Sequence, residues 1–596
     1  MNMQADLYRN MANENKCNNY LSVKLKGPAS NRSGINAIVE LVTASGVQIY
    51  EYTPYRGYMS CSERIAHFGI GGAQSISEVR VLWPDNKLSV VSSPLPNQTL
   101  TVDYAAATGT VRRGLNNPKL FRANDALKIV HAENEYDDYK SQILLPYKTS
   151  TLGPVLAKGD LDGDGMDDLF VGSSTGASSS VIYNSASGLG KRTTLEGNQY
   201  EDGGAAIFDV DGDGDNDIVV ASGGSEFTNG SKNYMARLYK NNGGSYKMSL
   251  LSAPAVSSSV VLPIDYDADG DADLFIGGRQ KPGEYGKPVN SSLLRNDSGK
   301  FANVTESVAP FMKEMGMVTS ARAADLTGDG NKELIITGEW MGIKVYKTGA
   351  TLSDVSSSLG LDNTKGWWNT IETADVDGDG DEDLIAGNLG HNIKYKASVA
   401  EPFKVYVDDF DKNGTNDVYL GYYENGQCYP VRGRQCSSEQ MPFVSEKFAS
   451  YNDFGLATIE KVLEDHLSPT TITQEAHTFS NTIFWNEGGR LQSEILPAEA
   501  QMAPVFGIAV DDFDKDGKLD VFLAGNMYNR EVETTRSDAG KGCLISFTEE
   551  GMTVKRTSET GLSADKDVRA VSTLKNGSQN LLVIANNNDA VQFFSY

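Results

Sequence analysis

Nine residues from Asp209 to Asp217 (DVDGDGDND) hold five aspartates between two apolar runs, AAIF and IVV. Crowded carboxylates repel one another, and a turn alone returns too little to offset that repulsion. A hard divalent cation removes the difficulty. Oxygen ligands at positions 1, 3 and 5, a backbone carbonyl at 7, a carboxylate at 9 and glycine at 6 suit calcium.

The pattern recurs seven times, beginning at Asp160, Asp209, Asp265, Asp325, Asp375, Asp409 and Asp512. Position 6 is glycine in every copy: Gly165, Gly214, Gly270, Gly330, Gly380, Gly414 and Gly517. A single Asp-Gly cluster makes an ordinary turn; seven with one spacing point to Ca2+. An EF-hand needs a glutamate at position 12 and helices on both sides. Position 12 here is Val171, Val220, Ile276, Ile336, Ala386, Leu420 and Leu523, none of which ligates through its side chain. The flanks are short apolar runs, which read as buried strands. Each loop therefore joins two strands.

The net charge of -26 equals the number of carboxylates at positions 1, 3, 5 and 9 of the seven loops. The acidity is thus concentrated where cations would sit, and seven divalent ions would bring the charge to -12. So acidic a chain is a poor match for nucleic acid, whose affinity comes from Lys and Arg on phosphates, or for anionic lipid. No 18-residue apolar run exists, so no transmembrane segment is expected. Five cysteines are too few for a disulfide scaffold. Cys428 and Cys436 bracket one loop, and the sequence leaves open whether they pair.

Residues 17–104 have a different texture. Strand patterns at Tyr20–Leu25, Ala37–Val42, Val47–Tyr52, His67–Gly71 and Glu78–Pro84 predict a small β-sandwich. Residues 105–117 (AAATGTVRRGLNN) read as a linker. Residues 1–16 contain Asp6-Leu-Tyr-Arg-Asn10, which is similar to Ser292–Asn296, Arg237–Asn241 and Thr482–Asn486, each downstream of an aspartate loop. They read as a remnant of an upstream repeat, so that the chain is expected to be the C-terminal part of a longer secreted protein.

The stretches SNRSGI (30–35), RGYMS (56–60), HFGIG (67–71) and VLWP (81–84) resemble the ASPIC/UnbV domain, although Asn36-Ala37 departs from the glycine-alanine usual there. That domain accompanies calcium-loop repeats in cartilage acidic protein and in bacterial surface proteins, and it implies no catalytic residue. From about 118 to the C-terminus the repeats resemble the FG-GAP (VCBS-type) family, also seen in integrin α-chain propellers. The resemblance implies calcium ligands at positions 1, 3, 5 and 9. In the first three loops these are Asp160, Asp162, Asp164 and Asp168; Asp209, Asp211, Asp213 and Asp217; and Asp265, Asp267, Asp269 and Asp273. In the fourth and fifth they are Asp325, Thr327, Asp329 and Glu333, and Asp375, Asp377, Asp379 and Asp383. The last two supply Asp409, Asp411, Asn413 and Asp417, and Asp512, Asp514, Asp516 and Asp520. Thr327 and Asn413 replace aspartates, and their sites are expected to be the weakest.

The usual interval between loops, 49–60 residues, accommodates a four-stranded blade. The 34 residues from 375 to 409 are too few and the 103 from 409 to 512 too many. Leu456, Ile459, Val462, Leu463 and Leu467 follow helical spacing and predict a helical insertion at about 444–468. Residues 570–584 read as a degenerate repeat without aspartates. The fold class is all-β: a sandwich, then a β-propeller over 118–596 with seven blades if the 375 and 409 loops share one, and eight if they do not. A strand near Leu127–Val130 is expected to complete the last blade and hide its edge.

The five histidines (His67, His131, His391, His466, His477) share no metal spacing, and no catalytic residue is assigned. His67 reads as a core or turn residue of the sandwich. Trp367-Trp368 and Tyr422-Tyr423 read as packing residues before sugar-stacking ones. Binding or adhesion, extracellular or at a bacterial cell surface or periplasm, with a glycan or protein partner, is the function expected. The alternatives are a calcium-dependent polysaccharide-degrading enzyme, since fold alone does not decide function, and a structural subunit of an outer-membrane complex.

Overall fold

Strands with one apolar face must pair and then stack, and the chain solves this in two separate ways. The computed structural model describes residues 8–9, 11, 18–73, 75–111, 119–125, 127–548, 551–576 and 579–596. It divides into two units, Met1–Asn117 and Pro118–Tyr596. Most of the 1–16 remnant lies outside the described residues.

In the first unit Ala66–Gly71, Asn19–Lys26 and Gln98–Asp103 form one sheet. Gly46–Tyr52, Ala37–Thr43, Glu78–Leu82, Lys87–Ser92 and Gly109–Thr110 form the other. Alternate residues of both turn inward, among them Leu21, Val23, Val39, Leu41, Phe68, Val81 and the fully buried Trp83. This is the small sandwich expected. Its second sheet continues into the stretch read as linker, because Gly109–Thr110 pairs with Lys87–Ser92. His67 is not a core residue: it is exposed on its strand, stacked on Tyr20 and hydrogen-bonded to Ser22 Oγ at 3.0 Å.

Among the described residues the second unit is a ring of seven blades, each of four strands except the fourth, where Gly366–Trp367 adds a short fifth strand against Glu333–Met341. Each begins with an inner strand: Leu156–Gly159, Asp202–Phe208, Ser257–Ile264, Met317–Ala324, Thr370–Ala374, Gly507–Asp511 and Val568–Asn576. These strands neighbour one another in order, and the seventh also meets the first, so the ring closes. The closing strand is Arg122–Ala123, which pairs with Gln592–Ser595 of the last blade. It lies a few residues before the expected position, and Ile129 and Val130 instead pair with the turn at 590–591. The last blade, Val568–Asn576 onward, is the degenerate repeat.

The irregular spacing has its explanation in the fifth blade. Its first two strands are Thr370–Ala374 and Asp383–Gly387, but its last two are Thr482–Asn486 and Leu491–Ile495. Between them the chain makes a separate four-stranded sheet: Gln427–Pro430, Asp417–Glu424, Phe403–Asp408 and Ile472–Ala476. The Asp409 loop belongs to this insert. It neither shares a blade with the Asp375 loop nor founds an eighth. In place of one helix over 444–468, the insert carries four short ones: Arg434–Gln440, Phe443–Lys447, Tyr451–Gly455 and Ile459–Leu463. Ile459, Val462 and Leu463 are buried, whereas Leu456 and Leu467 are exposed, so the helical period holds for barely one turn.

Six of the aspartate loops connect first to second strands and so share one face of the ring. The insert and the 124–155 connection belong to the opposite face. There Phe403, Val405, Val418 and Leu420 of the insert pack on Trp340, Trp367, Tyr147 and Met527. Leu152 and Phe506, which line the axial cavity of about 280 Å³, join the same cluster. Trp367 and Trp368 are both fully buried. Buried Arg432 pairs with Glu531 and donates to Leu145 O at 3.1 Å, which fastens the insert to the ring.

Candidate metal centres

Each loop is built the same way. Its position-6 glycine takes φ between 85° and 102°, a region closed to most side chains. That turn aims its N–H at the position-1 carboxylate, at 2.7 Å from Gly330 to Asp325 and 3.0 Å from Gly214 to Asp209. The other five loops repeat the bond. Position 9 opens the second strand, so its side chain turns inward. Asp168, Asp217, Asp273, Glu333, Asp383, Asp417 and Asp520 are all at most 3% exposed. One oxygen of each accepts from the position-2 N–H, as in Leu161 to Asp168 at 2.9 Å and Phe410 to Asp417 at 2.9 Å.

The carboxylates converge. One oxygen from each of Asp160, Asp162 and Asp168 lies within 4.8 Å of the others, and the same holds for Asp209, Asp211 and Asp217. Asp265, Asp267 and Asp269 form such a group, as do Asp325, Asp329 and Glu333, and Asp375, Asp377 and Asp383. These acidic groups have the donor chemistry of a hard-cation site. Desolvation, together with the neighbouring carboxylates, pushes Asp168, Asp217 and Asp383 up to about 6 and Asp273 and Asp417 up to about 7, against backbone N–H donation that lowers them. Burial likewise raises Glu333 and Asp520.

The loops are not equivalent. Thr327 donates to Glu333 at 2.9 Å, and Asn413 Nδ2 donates to Asp411 at 3.0 Å, so both replacements quench a carboxylate rather than adding one. A lysine reaches into three loops: Lys240 to Asp211, Lys347 to Asp329 and Lys555 to Asp514.

A residue outside the loops completes the arrangement. Asn241, on the third strand of its blade, donates its backbone N–H to Asp217 at 2.7 Å. Its side-chain amide reaches Asn216 O in its own loop and Leu161 O, the position-2 carbonyl of the preceding blade. Asn296 repeats this with Asp273, Ala272 O and Val210 O. Asn486 does so with Asp383, Glu382 O and Leu326 O. Asn184 does so with Asp168, Asp167 O and Lys575 O, which joins the last blade to the first. At one seam Gly349 N takes over, donating to Tyr266 O at 2.8 Å. Four loops, those beginning at Asp160, Asp209, Asp265 and Asp325, are thus wired to the next blade through their second residue. The signal was present in the repeated asparagine that ends Arg237–Asn241, Ser292–Asn296 and Thr482–Asn486, but periodicity gives no hint of contact across a seam.

The fold and its loops define a β-propeller built from acidic-loop repeats. Residues 27–109 match the ASPIC and UnbV family model. The FG-GAP-like repeat model matches 160–220, 209–276, 265–336 and 325–386. The chain carries an ASPIC/UnbV domain followed by FG-GAP-like repeats. No curated protein matches it. Among solved structures it is similar to the V. cholerae biofilm matrix protein Bap1, at 11% identity and TM-score 0.30, covering 78% of this chain and 90% of that one. It is also similar to Chaetomium thermophilum Sqt1 bound to the N-terminus of ribosomal protein L10, at 10% identity and TM-score 0.34, covering 75% and 100%. A third is BBS1N in complex with ARL6DN, at 8% identity and TM-score 0.28, covering 80% and 97%. Among the described residues no helix is long and apolar enough to cross a membrane.

Proposed function

We propose that the chain is a calcium-stabilised binding or adhesion protein of an extracellular or bacterial cell surface, recognising a glycan or protein partner. The observation that carries this is the acidic trio at the loops, with a buried position-9 carboxylate drawn up in every loop by desolvation. Such groups bind a cation or take up protons, and calcium at extracellular concentration suits sites of this charge count. Ions bound in these loops would sit at the junctions of first and second strands. They act by stiffening the ring and holding the loops of the opposite face in place for a partner.

Chelation tests the reading. An ion present at a hundredfold excess over its Kd stabilises the folded state by about 2.7 kcal/mol per site. A unit of about 480 residues has an unfolding entropy near 1 kcal/mol/K. Three such sites therefore move the melting temperature by about 8 °C. A melting curve that is the same in excess calcium and excess chelator defeats the proposal.

A further inference from the structure

The insert covers the axial end of the connection face, so a ligand on that face must bind beside it. There the 124–155 connection, the second-to-third-strand loop of the sixth blade and the turn of the seventh enclose a cleft of about 920 Å³. This is the size of a small-molecule or oligosaccharide site. Every side chain in its wall is polar. Its exposed acids, Glu135 and Asp137, are balanced by Lys140 and Lys148, and Asp567 is paired with Arg569, so the cleft carries little net charge and suits an uncharged ligand. Tyr136 and Tyr528 add aromatic rings with a polar edge, the surface that packs on a sugar face.

The walls are pre-set by hydrogen bonds. Asn529 Nδ2 donates to Thr151 O at 3.1 Å and to Lys148 O at 3.2 Å. Asn587 Nδ2 donates to Gly153 O at 2.7 Å, and Asn588 Oδ1 accepts from Glu133 N at 2.9 Å. Acceptors are left over. Asp567 is 3% exposed, and only its Oδ2 is matched, by Arg569 at 3.0 Å; Oδ1 meets no donor. Glu133 Oε2 and Asn134 Oδ1 likewise lack one. A buried unmatched acceptor is costly, and a ligand rich in O–H or N–H groups relieves that cost. Burial also draws Glu133 up to about 7.

We infer that this cleft is the ligand site, and that it takes a non-anionic oligosaccharide whose hydroxyl or amino groups donate to Asp567, Glu133 and Asn134. The inference rests on the binding function proposed above and names the partner class and its place.

The test is calorimetric titration of the full chain in calcium with cellohexaose, mannohexaose, chitohexaose, glucosamine hexamer and galacturonate hexamer. At least one of the first four should bind with Kd below about 1 mM, and the uronate at least tenfold more weakly. Tyr528→Ala and Asn588→Ala should each weaken binding about tenfold, with melting temperatures within about 2 °C of the parent; Lys247→Ala, on an outer strand, should change nothing. Binding that survives both cleft substitutions overturns the site while leaving the glycan-binding function standing. Uronate binding as tight as that of the neutral oligomers overturns the ligand class. If no oligomer binds while chelation still lowers the melting temperature, the inference falls and the calcium reading stands.

Discussion

Asn296→Ala removes one seam between the second and third blades. The side chain is 1% exposed and makes three hydrogen bonds: to Val210 O at 2.8 Å, to Ala272 O at 3.1 Å, and from Gly299 N at 2.8 Å. Each bond contributes about 1–1.5 kcal/mol, and the partners left behind have no route to water. The expected loss is about 3–5 kcal/mol. With an unfolding entropy near 1 kcal/mol/K for about 480 residues, that is a fall of about 3–5 °C. Differential scanning calorimetry in saturating calcium measures it, with exposed Lys300→Ala as the control. Asn296→Asp should be at least as damaging, because it turns an acceptor toward two carbonyl oxygens. A shift below about 1 °C for both would refute the idea that the asparagine seams hold the ring together.

Three further outcomes follow from the loops. Position 4 is left-handed in all seven loops, yet it is Ala268, Lys412 and Lys515 in three of them (φ 60° to 64°) and glycine in the others. Ala268→Gly should stabilise by about 0.5–1 kcal/mol, and Gly328→Ala, whose Cβ meets nothing within 4 Å, should destabilise by about 1–2 kcal/mol through backbone strain alone, as read from denaturant midpoints. In chelator the protein should lose stability as pH rises from 4 to 7. The position-9 aspartates titrate at about 6 to 7 when folded but near 3.9 when unfolded; the folded state therefore binds more protons across that window, and stability falls with pH. Melting temperatures that rise over that range in chelator would contradict this. Lys240 competes with a cation for Asp211 and Asp213; Lys240→Gln should tighten calcium binding at that loop about two- to fivefold, discounted for its exposure, by titration calorimetry.

Local chemistry was legible wherever it repeats within a few residues. Position-6 glycine and position-1 aspartate are five residues apart, so spacing alone identified both the turn and its acidic pocket. Strand alternation likewise marked both sheets of the sandwich. What spacing left ambiguous was the irregular stretch from 375 to 512. Two strands of one blade, Asp383–Gly387 and Thr482–Asn486, pair across the whole insert. Nothing local distinguishes that from two damaged blades. The helical period read at 456–467 misled for a related reason: a run of short helices docked on a sheet buries a residue for what covers it, not for its phase.

Amino-acid order alone was enough to specify seven acidic turns, a sandwich, and the concentration of acidity in those turns, because each depends on neighbours along the chain. Tertiary structure decided the number of blades, the strand that closes the ring, the fate of the sixth loop, the asparagine seams and the cleft beside the insert. All of these depend on which surfaces meet across hundreds of residues. Burial and hydrogen-bond matching set those meetings, and neither quantity exists until the ring has closed.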